Sequence, residues 1–386
     1  MNIELMLTYK SLRQTFVFLI FGVFPPFADI FLGSSSMALG VFLSFILFSF
    51  LRVSRLKDML FLHKAIFFWL IFSFFYFSLQ HIFIGFWGFK SYLSVLMLSL
   101  LSIFSCFFSK EILYRDAFSV KCLFLLFWML IFIAFIAILT EFNMGRFFYG
   151  KNKAVFPFGE PSHFSLFLGP FFFMAIVLTK KTIVKFFYIL IISVIAIFLP
   201  SATLLIYVIL ATVILMRFSK SSFFVFIPIF LLGIYIMLNN SYFLTRIILS
   251  NDSKNLTALV YLQGIQDAYY SMKLTHGIGL GFQMLGTQPI SPAGVQISYL
   301  MGGGELNRKD GGFLAAKIVA ELGVYGIVIL TFYLLIFFKS FIGLSKVARS
   351  PCDFNLAYIF SLSFIYASFV EFFVRGVGYF SPTIFF

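Results

Sequence analysis

Long apolar runs repeat from one end of this sequence to the other, and they constrain the fold more than any motif does. Most runs have about 16 to 23 residues, enough for a helix to cross a hydrocarbon core of roughly 30 Å. Only 11% of the 386 residues are charged, whereas a soluble domain carries roughly 25%. The sequence therefore predicts an all-α protein, a polytopic transmembrane helix bundle that forms a single integral membrane domain over residues 1–386.

The predicted spans follow one another with short connections between most of them. On length alone we expect about eleven. They lie near residues 15–32, 37–51, 62–79, 91–108, 118–139, 161–179, 183–199, 201–216, 223–238, 312–338 and 354–374. Every second short connection is rich in Lys and Arg, whereas the short connections between them offer only Lys90. By the positive-inside rule the basic side is cytoplasmic, which predicts a cytoplasmic N-terminus.

The charge and cysteine content narrow the partners of the chain. The net charge of +14 comes largely from the basic connections, so it is read first as a topology signal and nucleic acid is not expected as a partner. The three cysteines lie in or beside apolar runs and include no CxxC pair. We therefore expect no disulfide framework, no metal site and no cofactor.

Two connections on the predicted outer side, residues 140–160 and 239–310, are too long and too polar to be turns. Loops above roughly 15 residues in a compact protein are usually functional or disordered. Within the second loop, apolar residues recur at helical spacing from Leu256 to Met272. This pattern favours an amphipathic helix on the bilayer surface, so we expect a large outer loop that contains short helices.

The sharpest local feature is FGEPSH at residues 158–163, where the first long loop meets a span. Pro161 suits the first position of a helix, and Glu160 and His163, three residues apart, can then face the same side. A carboxylate and an imidazole at the water edge are groups that can take a proton from a sugar hydroxyl. The free amides of such a helix start also favour an anion. The plainer interpretation is a helix start with a capped interfacial histidine.

A second feature is the glycine-rich stretch THGIGLGF at residues 275–282. Alternating glycines let the backbone approach a ligand closely and adopt positive φ, which makes His276 and Gly279 candidate ligand contacts. A dinucleotide loop is not expected, because no strand–turn–helix unit surrounds the glycines. The alternative is a tight loop without a ligand. A third stretch, residues 307–312, precedes a span with Lys317 and Glu321, which are four residues apart and can pair within the bundle.

Arginines on the predicted outer loops oppose the positive-inside bias. Arg146, Arg246 and Arg308 carry planar guanidinium groups that match phosphate oxygens, so a lipid-linked phosphate or an acidic glycan is a candidate ligand. The alternative is that they are solvated charges, which long outer loops tolerate. The sequence contains no DxD, HExxH, P-loop or GxSxG motif. A metal-independent reaction at the outer membrane surface stays open.

Three of these stretches resemble a known family. FGEPSHFS (residues 158–165), HGIGLGF (276–282) and GGFLAAKIVAELGVYG (311–326) occur in the order, and on the side of the predicted membrane, found in bacterial O-antigen polymerases of the Wzy type. The resemblance implies a glycosyltransferase of the bacterial inner membrane whose active site and long loops face the periplasm. Its substrates would be undecaprenyl-pyrophosphate-linked oligosaccharides, and a chain-length regulator protein would be a partner.

The resemblance also implies roles for individual residues. Glu160 or His163 would serve as the base or as the group that orients the acceptor hydroxyl, and the two are not distinguished. The outer arginines would hold pyrophosphate, and the glycine stretch would contact substrate. These substrate-binding residues are Arg146, Arg246, His276, Gly279 and Arg308. Where members of the related ligase group often carry Arg at the start of the loop helix, this chain has Lys254 and Asn255.

Two other functions compete with this expectation. An O-antigen ligase has a similar architecture but uses lipid A core as the acceptor. A polysaccharide flippase or other transporter would place paired charges near the middle of the bilayer. In this sequence such charges are few, namely Lys317, Glu321 and Glu371, and the polar residues gather instead on the predicted outer side.

Overall fold

A computed structural model describes residues 9–32, 37–51, 64–85, 88–109, 119–139, 155–216, 248–351 and 354–385, and part of residues 224–246. All secondary-structure elements within these residues are helices, apart from an isolated antiparallel bridge between Val155 and Phe158. The helices are α1 (Tyr9–Leu32), α2 (Ala38–Leu51), α3 (Lys64–Ile84), α4 (Phe89–Ser109), α5 (Val120–Leu139), α6 (Pro161–Leu178), α7 (Thr182–Phe198), α8 (Ala202–Met216), α9 (Leu256–Leu274), α10 (Pro292–Leu300), α11 (Leu314–Val347) and α12 (Leu356–Phe373), followed by a 3-10 turn (Pro382–Ile384).

Six of these helices are long and apolar enough to cross a membrane: α3, α4, α5, α6, α11 and α12. Four shorter apolar helices accompany them: α1, α2, α7 and α8. The chain is therefore a helical membrane protein with several spanning helices, as the sequence predicts. The remaining predicted span, near residues 223–238, falls on residues that are described only in part, and those described between 224 and 239 are helical.

Helix α6 lies at the centre of the bundle. Every residue from Phe164 to Val177 is buried, and the helix packs against α5, α8 and α12. A helix that is apolar on all faces is one that protein or lipid covers completely. Helix α3 differs, because Phe68, Phe75 and Phe83 on it are 67%, 62% and 70% exposed, as expected of side chains that face lipid.

Helix α9 confirms the helix predicted within the long loop. The side chain of Asn255 caps it by accepting hydrogen bonds from the amides of Thr257 and Ala258, at 2.9 and 3.2 Å. The helix packs against α10 and α11. Its predicted apolar face is divided between two surroundings: Val260 is buried against these neighbours, whereas Tyr269 is 63% exposed.

Helix α11 is interrupted at Gly323, where the backbone has φ 59° and ψ −136°. At about 1.5 Å per residue, the part that follows Gly323 is roughly 36 Å long and is sufficient by itself to cross a ~30 Å core. The predicted span near residues 312–338 therefore corresponds to two helical pieces. Lys317 and Glu321 belong to the short first piece.

Candidate active site at the start of helix α6

The start of α6 is formed by its own sequence. Pro161 occupies the first turn, where the missing N–H of proline costs little, and Glu160 precedes it as an extended N-cap with φ −142° and ψ 147°. The amide of His163 donates to the carbonyl oxygen of Glu160 at 3.2 Å. The predicted helix start is confirmed. The amide of His163, however, is engaged in the first turn, so the expectation that it is free to bind an anion is wrong.

Glu160 forms an ion pair with an arginine from the far end of the sequence. Oε2 of Glu160 accepts a hydrogen bond from Nη2 of Arg375 at 2.8 Å and lies 3.2 Å from Oγ of Ser162, which also donates to it. The two charged side chains are partly buried. A charge-assisted contact of this length holds both groups in place. It fixes the carboxylate on the side of α6 where α12 ends.

Arg375 is positioned by the backbone that follows α12. Its amide donates to the carbonyl of Val370 at 2.9 Å, and the amide of Gly376 donates to the carbonyl of Gly312 at 3.1 Å. The chain after α12 is thereby tied to the residues that precede α11. Arg375 is not predicted from the sequence, because an ion pair across 215 positions leaves no local pattern. An arginine at the predicted outer end of the last span was the available signal.

His163 lines a small void between α6, α1 and the C-terminal segment, with a volume of about 20 Å³. Ser381 and Thr383 line the same void, and their hydroxyl oxygens lie 2.7 Å apart. Water requires roughly 10–15 Å³, so the void accommodates one molecule. The other lining groups are mainly apolar, including Phe158 and Phe167. His163 therefore shares this void with two hydroxyl groups in an otherwise apolar setting.

The glycine-rich stretch packs against the interruption in α11. The amides of Leu280 and Gly281 donate to the carbonyls of Ala320 and Glu321, both at 2.9 Å, and the amide of Val324 donates to the carbonyl of Gly277 at 2.8 Å. These bonds replace helical bonds that the break removes, which backbone near lipid requires. The glycine-rich stretch therefore forms a tight loop, the alternative considered from the sequence, and this loop packs against α11.

Two side chains of α3 complete this packing. The Tyr76 hydroxyl donates to the carbonyls of Ile278 and Leu322, at 3.0 and 2.8 Å, and the Gln80 amide donates to the carbonyl of Ile278 at 2.7 Å. A Cβ atom on Gly279 would lie 2.5 Å from the carbonyl oxygen of Glu321. The close backbone approach that Gly279 permits is thus to the protein's own helix.

His276 lies beside a larger cavity of about 500 Å³. The cavity lies between the end of α3, the glycine-rich stretch and the second piece of α11, and its lining includes Tyr76, Phe83 and Tyr325. Phe83 is among the exposed side chains of α3. The cavity therefore adjoins the surface that is expected to face lipid. It is distinct from the void at His163, with which it shares no lining residue.

Arg308 is held by two protein groups. Nη1 lies 2.5 Å from Oε1 of Glu305, and Nη2 donates to the carbonyl of Gln288 at 2.6 Å. The Arg308 side chain is 17% exposed. Arg246 lies in a short helical stretch and is partly buried, and Arg146 lies outside the described residues. The structure places the two described arginines in the long loop, on segments other than the one that carries Glu160.

Lys317 and Glu321 pair within the bundle, as the sequence allows, with Nζ and Oε1 4.0 Å apart. Nζ of Lys317 also donates to the carbonyl of Lys309 at 2.7 Å. The carboxylate of Glu321 accepts from the amides of Gln283 and Leu285, at 2.9 and 3.1 Å. This pair ties the glycine-rich stretch to α11, a structural role that the contacts account for fully.

Asp267 of α9 is a buried carboxyl group in the long loop, 1% exposed. Burial raises its pKa above the ordinary value, and three nearby polar side chains and the charge of Arg308 act in the opposite direction. These three side chains are Ser291, Gln288 and Gln263. Arg308 thus faces a second carboxyl group besides Glu305.

Among the described residues, no group of three or more His, Cys, Asp and Glu side chains is arranged to hold a metal ion. Comparison of the chain with protein-family models, with curated proteins and with solved structures finds no match.

Proposed function

We propose that this chain is an O-antigen polymerase of the Wzy type, a metal-independent glycosyltransferase. It transfers an undecaprenyl-pyrophosphate-linked glycan onto a new lipid-linked repeat unit. The observation that carries the proposal is the polar group at the start of α6, where Glu160 pairs with Arg375 and His163 shares a void with two hydroxyl groups. Packing of apolar helices requires none of these groups, and ionisable residues at membrane helices are usually functional.

The distribution of basic residues between the two ends of the bundle supports a site that faces outward. Lys180 and Lys181 follow the end of α6 opposite to Glu160, and Nζ of Lys185 at the start of α7 donates to the carbonyl of Ala348 after α11. Basic residues thus gather at one side of the bundle. By the positive-inside rule that side is cytoplasmic. The proposed enzyme then has about eleven spans in the bacterial inner membrane, with residues 140–160 and 239–310 in the periplasm.

The chemistry needs a base near the acceptor hydroxyl and cations near the leaving pyrophosphate. We assign the first role to the pair of Glu160 and His163. Arg375 adds a cation at the same place, and Arg146, Arg246 and Arg308 are proposed to hold pyrophosphate from the loops. The cavity at His276 adjoins the lipid-facing surface and suits the lipid part of the donor, with Gly279 shaping the loop that lines it.

Reconstitution tests the proposal directly. Purified protein in lipid nanodiscs is given a synthetic undecaprenyl-pyrophosphate-linked repeat unit, and products are separated by length. We expect a ladder that forms without added divalent metal, and no ladder from Glu160→Gln. A buried serine on α12 away from the site, changed as Ser363→Ala, serves as the matched control and keeps the ladder. Single units from wild-type protein under all conditions would contradict the proposal.

The same assay separates the competing functions. Product formed only when lipid A core is the acceptor would identify an O-antigen ligase. Transport without chemistry is favoured by one observation, the buried carboxylate of Glu371 on a membrane helix. Movement of intact lipid-linked glycan across vesicles, with no new glycosidic bond, would assign that function instead. A chain-length regulator protein added to the assay is expected to narrow the ladder.

The orientation has its own test. A cysteine introduced at Ser253, just before α9, should react with a membrane-impermeant thiol reagent in intact spheroplasts, because the long loop is proposed to be periplasmic. A cysteine at Ser219 is the matched position on the basic side and should stay protected until the membrane is opened. The reverse pattern would overturn the orientation and the periplasmic site together.

A further inference from the structure

Glu371 is a buried carboxylate that the reaction described so far does not use. It lies on α12, two residues before the helix ends, and is 1% exposed. One oxygen, Oε2, accepts a hydrogen bond from the hydroxyl of Thr383; the other, Oε1, has no hydrogen-bond partner among the described residues. None of the ion pairs formed within the described chain includes Glu371. Burying a carboxylate without a cation is costly, so its retention calls for a function.

Hydroxyl groups connect Glu371 to the void that His163 lines. Thr383 contacts Glu371, and its Oγ1 lies 2.7 Å from Oγ of Ser381. Ser381 and Thr383 both line the void of about 20 Å³ that His163 also lines. One water in that void would join the imidazole to the hydroxyl pair. Hydroxyl groups and water both donate and accept, which is what a proton path requires.

The two carboxylates near His163 have different surroundings. Glu160 lies 2.8 Å from Nη2 of Arg375 and is engaged in an ion pair. Glu371 has hydroxyl contacts instead. Two carboxyl groups whose environments differ in this way commonly divide the acid–base roles of a site.

The other titratable groups that face Glu371 are tyrosines. Tyr207 of α8 and Tyr333 of α11 interact with it electrostatically. Their hydroxyls donate to the backbone carbonyls of Ala367 and Ile365, at 3.2 and 3.0 Å. Both hydroxyl protons are thus directed to the backbone, and the path through Thr383 is the hydrogen-bonded route from the carboxylate.

We propose that Glu371 accepts, through Thr383 and Ser381, the proton that His163 removes from the acceptor hydroxyl. The inference rests on the proposed glycosyl transfer. As the acceptor oxygen bonds to the anomeric carbon, its O–H bond breaks and the proton goes to His163. The bond from the anomeric carbon to the phosphate oxygen breaks, and its electron pair leaves with the pyrophosphate. Proton hops along the path then return the imidazole to neutrality and leave Glu371 as a carboxylic acid. Glu371 does not touch the substrate and acts on the reaction only through His163.

Three variants test the path in the reconstituted assay. Glu371→Gln keeps the shape but cannot take a proton, Thr383→Val removes the connecting hydroxyl, and Ser363→Ala on α12 is the control. We expect both path variants to lower kcat by about 100-fold with little change in KM, the lower end of general-base effects. Their kcat should then rise with pH without a plateau, because hydroxide replaces the lost acceptor. Glu371→Asp should restore part of the rate. Wild-type kcat and pH profiles in both variants would overturn the proposal.

An infrared difference titration keeps the path testable if no glycosyl transfer is found. The carbonyl stretch of the protonated carboxyl group of Glu371 is identified by its loss in Glu371→Gln. If His163 and Glu371 share a proton path, His163→Ala should shift the pH at which this band appears. A band that titrates identically with and without His163 would contradict the coupling, whereas absence of polymerisation by wild-type protein would contradict only the proposed function.

Discussion

The start of α6 and the glycine-rich stretch are both conspicuous motifs in the sequence, yet the folded chain uses them differently. At the start of α6 the side chain of Glu160 pairs with an arginine, and His163 lines a void that two hydroxyl groups also line. In the glycine-rich stretch the backbone groups are bonded to α11 and α3. The side-chain groups of a motif stay available to a ligand after folding. The backbone groups of a motif can instead be used in hydrogen bonds within the fold.

The largest effect on the rate of glycan transfer is expected at the start of α6. Changing His163→Ala removes the imidazole and should lower the rate of glycan transfer by roughly 10²- to 10⁴-fold, as for other general bases. The ladder would collapse to single units in gel analysis of membranes that contain normal amounts of protein. Full ladders from this variant and from Glu160→Gln would return the element to a plain helix start.

The second prediction concerns stability at the glycine-rich stretch. In Gly279→Ala the new Cβ would lie 2.5 Å from backbone atoms of Glu321 and Gly323, at a residue with φ 87°. Overpacking and backbone strain together should cost roughly 2 to 4 kcal/mol of unfolding free energy. Thermal unfolding in detergent measures the loss.

The matched control for that substitution is Gly302→Ala. Gly302 also has positive φ, at 63°, but no heavy atom lies within 4 Å of its Cβ position. It should lose only the strain of about 1 kcal/mol. Equal melting temperatures for the two variants would show that the stretch does not depend on its contact with α11.

Some features of the fold and of the candidate site are predicted from the sequence, and others are not. Apolar length placed ten helices, and Pro161 placed the start of α6, because both signals are local. The Gly323 break was not predicted: it depends on the glycine-rich stretch, which forms backbone hydrogen bonds with α11 across 40 to 47 positions of sequence. Arg375 and Thr383 were missed for the same reason, since only folding brings the C-terminal segment to α6.

The third prediction asks whether Arg308 binds ligand or only holds the loop. If it contacts pyrophosphate, apparent affinity for the lipid-linked donor should fall in the order wild type, Arg308→Lys, Arg308→Ala, because lysine keeps the charge but loses the planar fork. The full loss should be about tenfold, less than a buried charged contact gives. The same order is expected at Arg246, with a smaller effect at Lys254.

Glu305→Gln is the control for this series, because it weakens the Arg308 contact at 2.5 Å while leaving the guanidinium in place. A role in ligand binding requires Arg308→Ala to raise KM clearly more than Glu305→Gln does. Matching KM values in the two variants would mean that Arg308 serves the loop alone.

The smallest expected effect concerns Asp267, which faces Arg308 from α9. Burial raises the pKa of this carboxyl in the folded protein above its ordinary value of 3.8. A raised pKa means that the folded state holds the proton more tightly than the unfolded chain, so the stabilisation is complete below pH 3.8 and is lost as the pH rises through the folded value.

Asp267→Asn removes the ionisation and keeps the shape. The variant should therefore unfold at a higher temperature than wild type at neutral pH, by about 1 kcal/mol in stability, and the difference should shrink as the pH falls towards 4. A variant that is less stable than wild type at neutral pH would mean that attraction to Arg308 outweighs burial. Asp267 and Arg308 would then be a structural ion pair, which would also weaken the assignment of Arg308 to pyrophosphate.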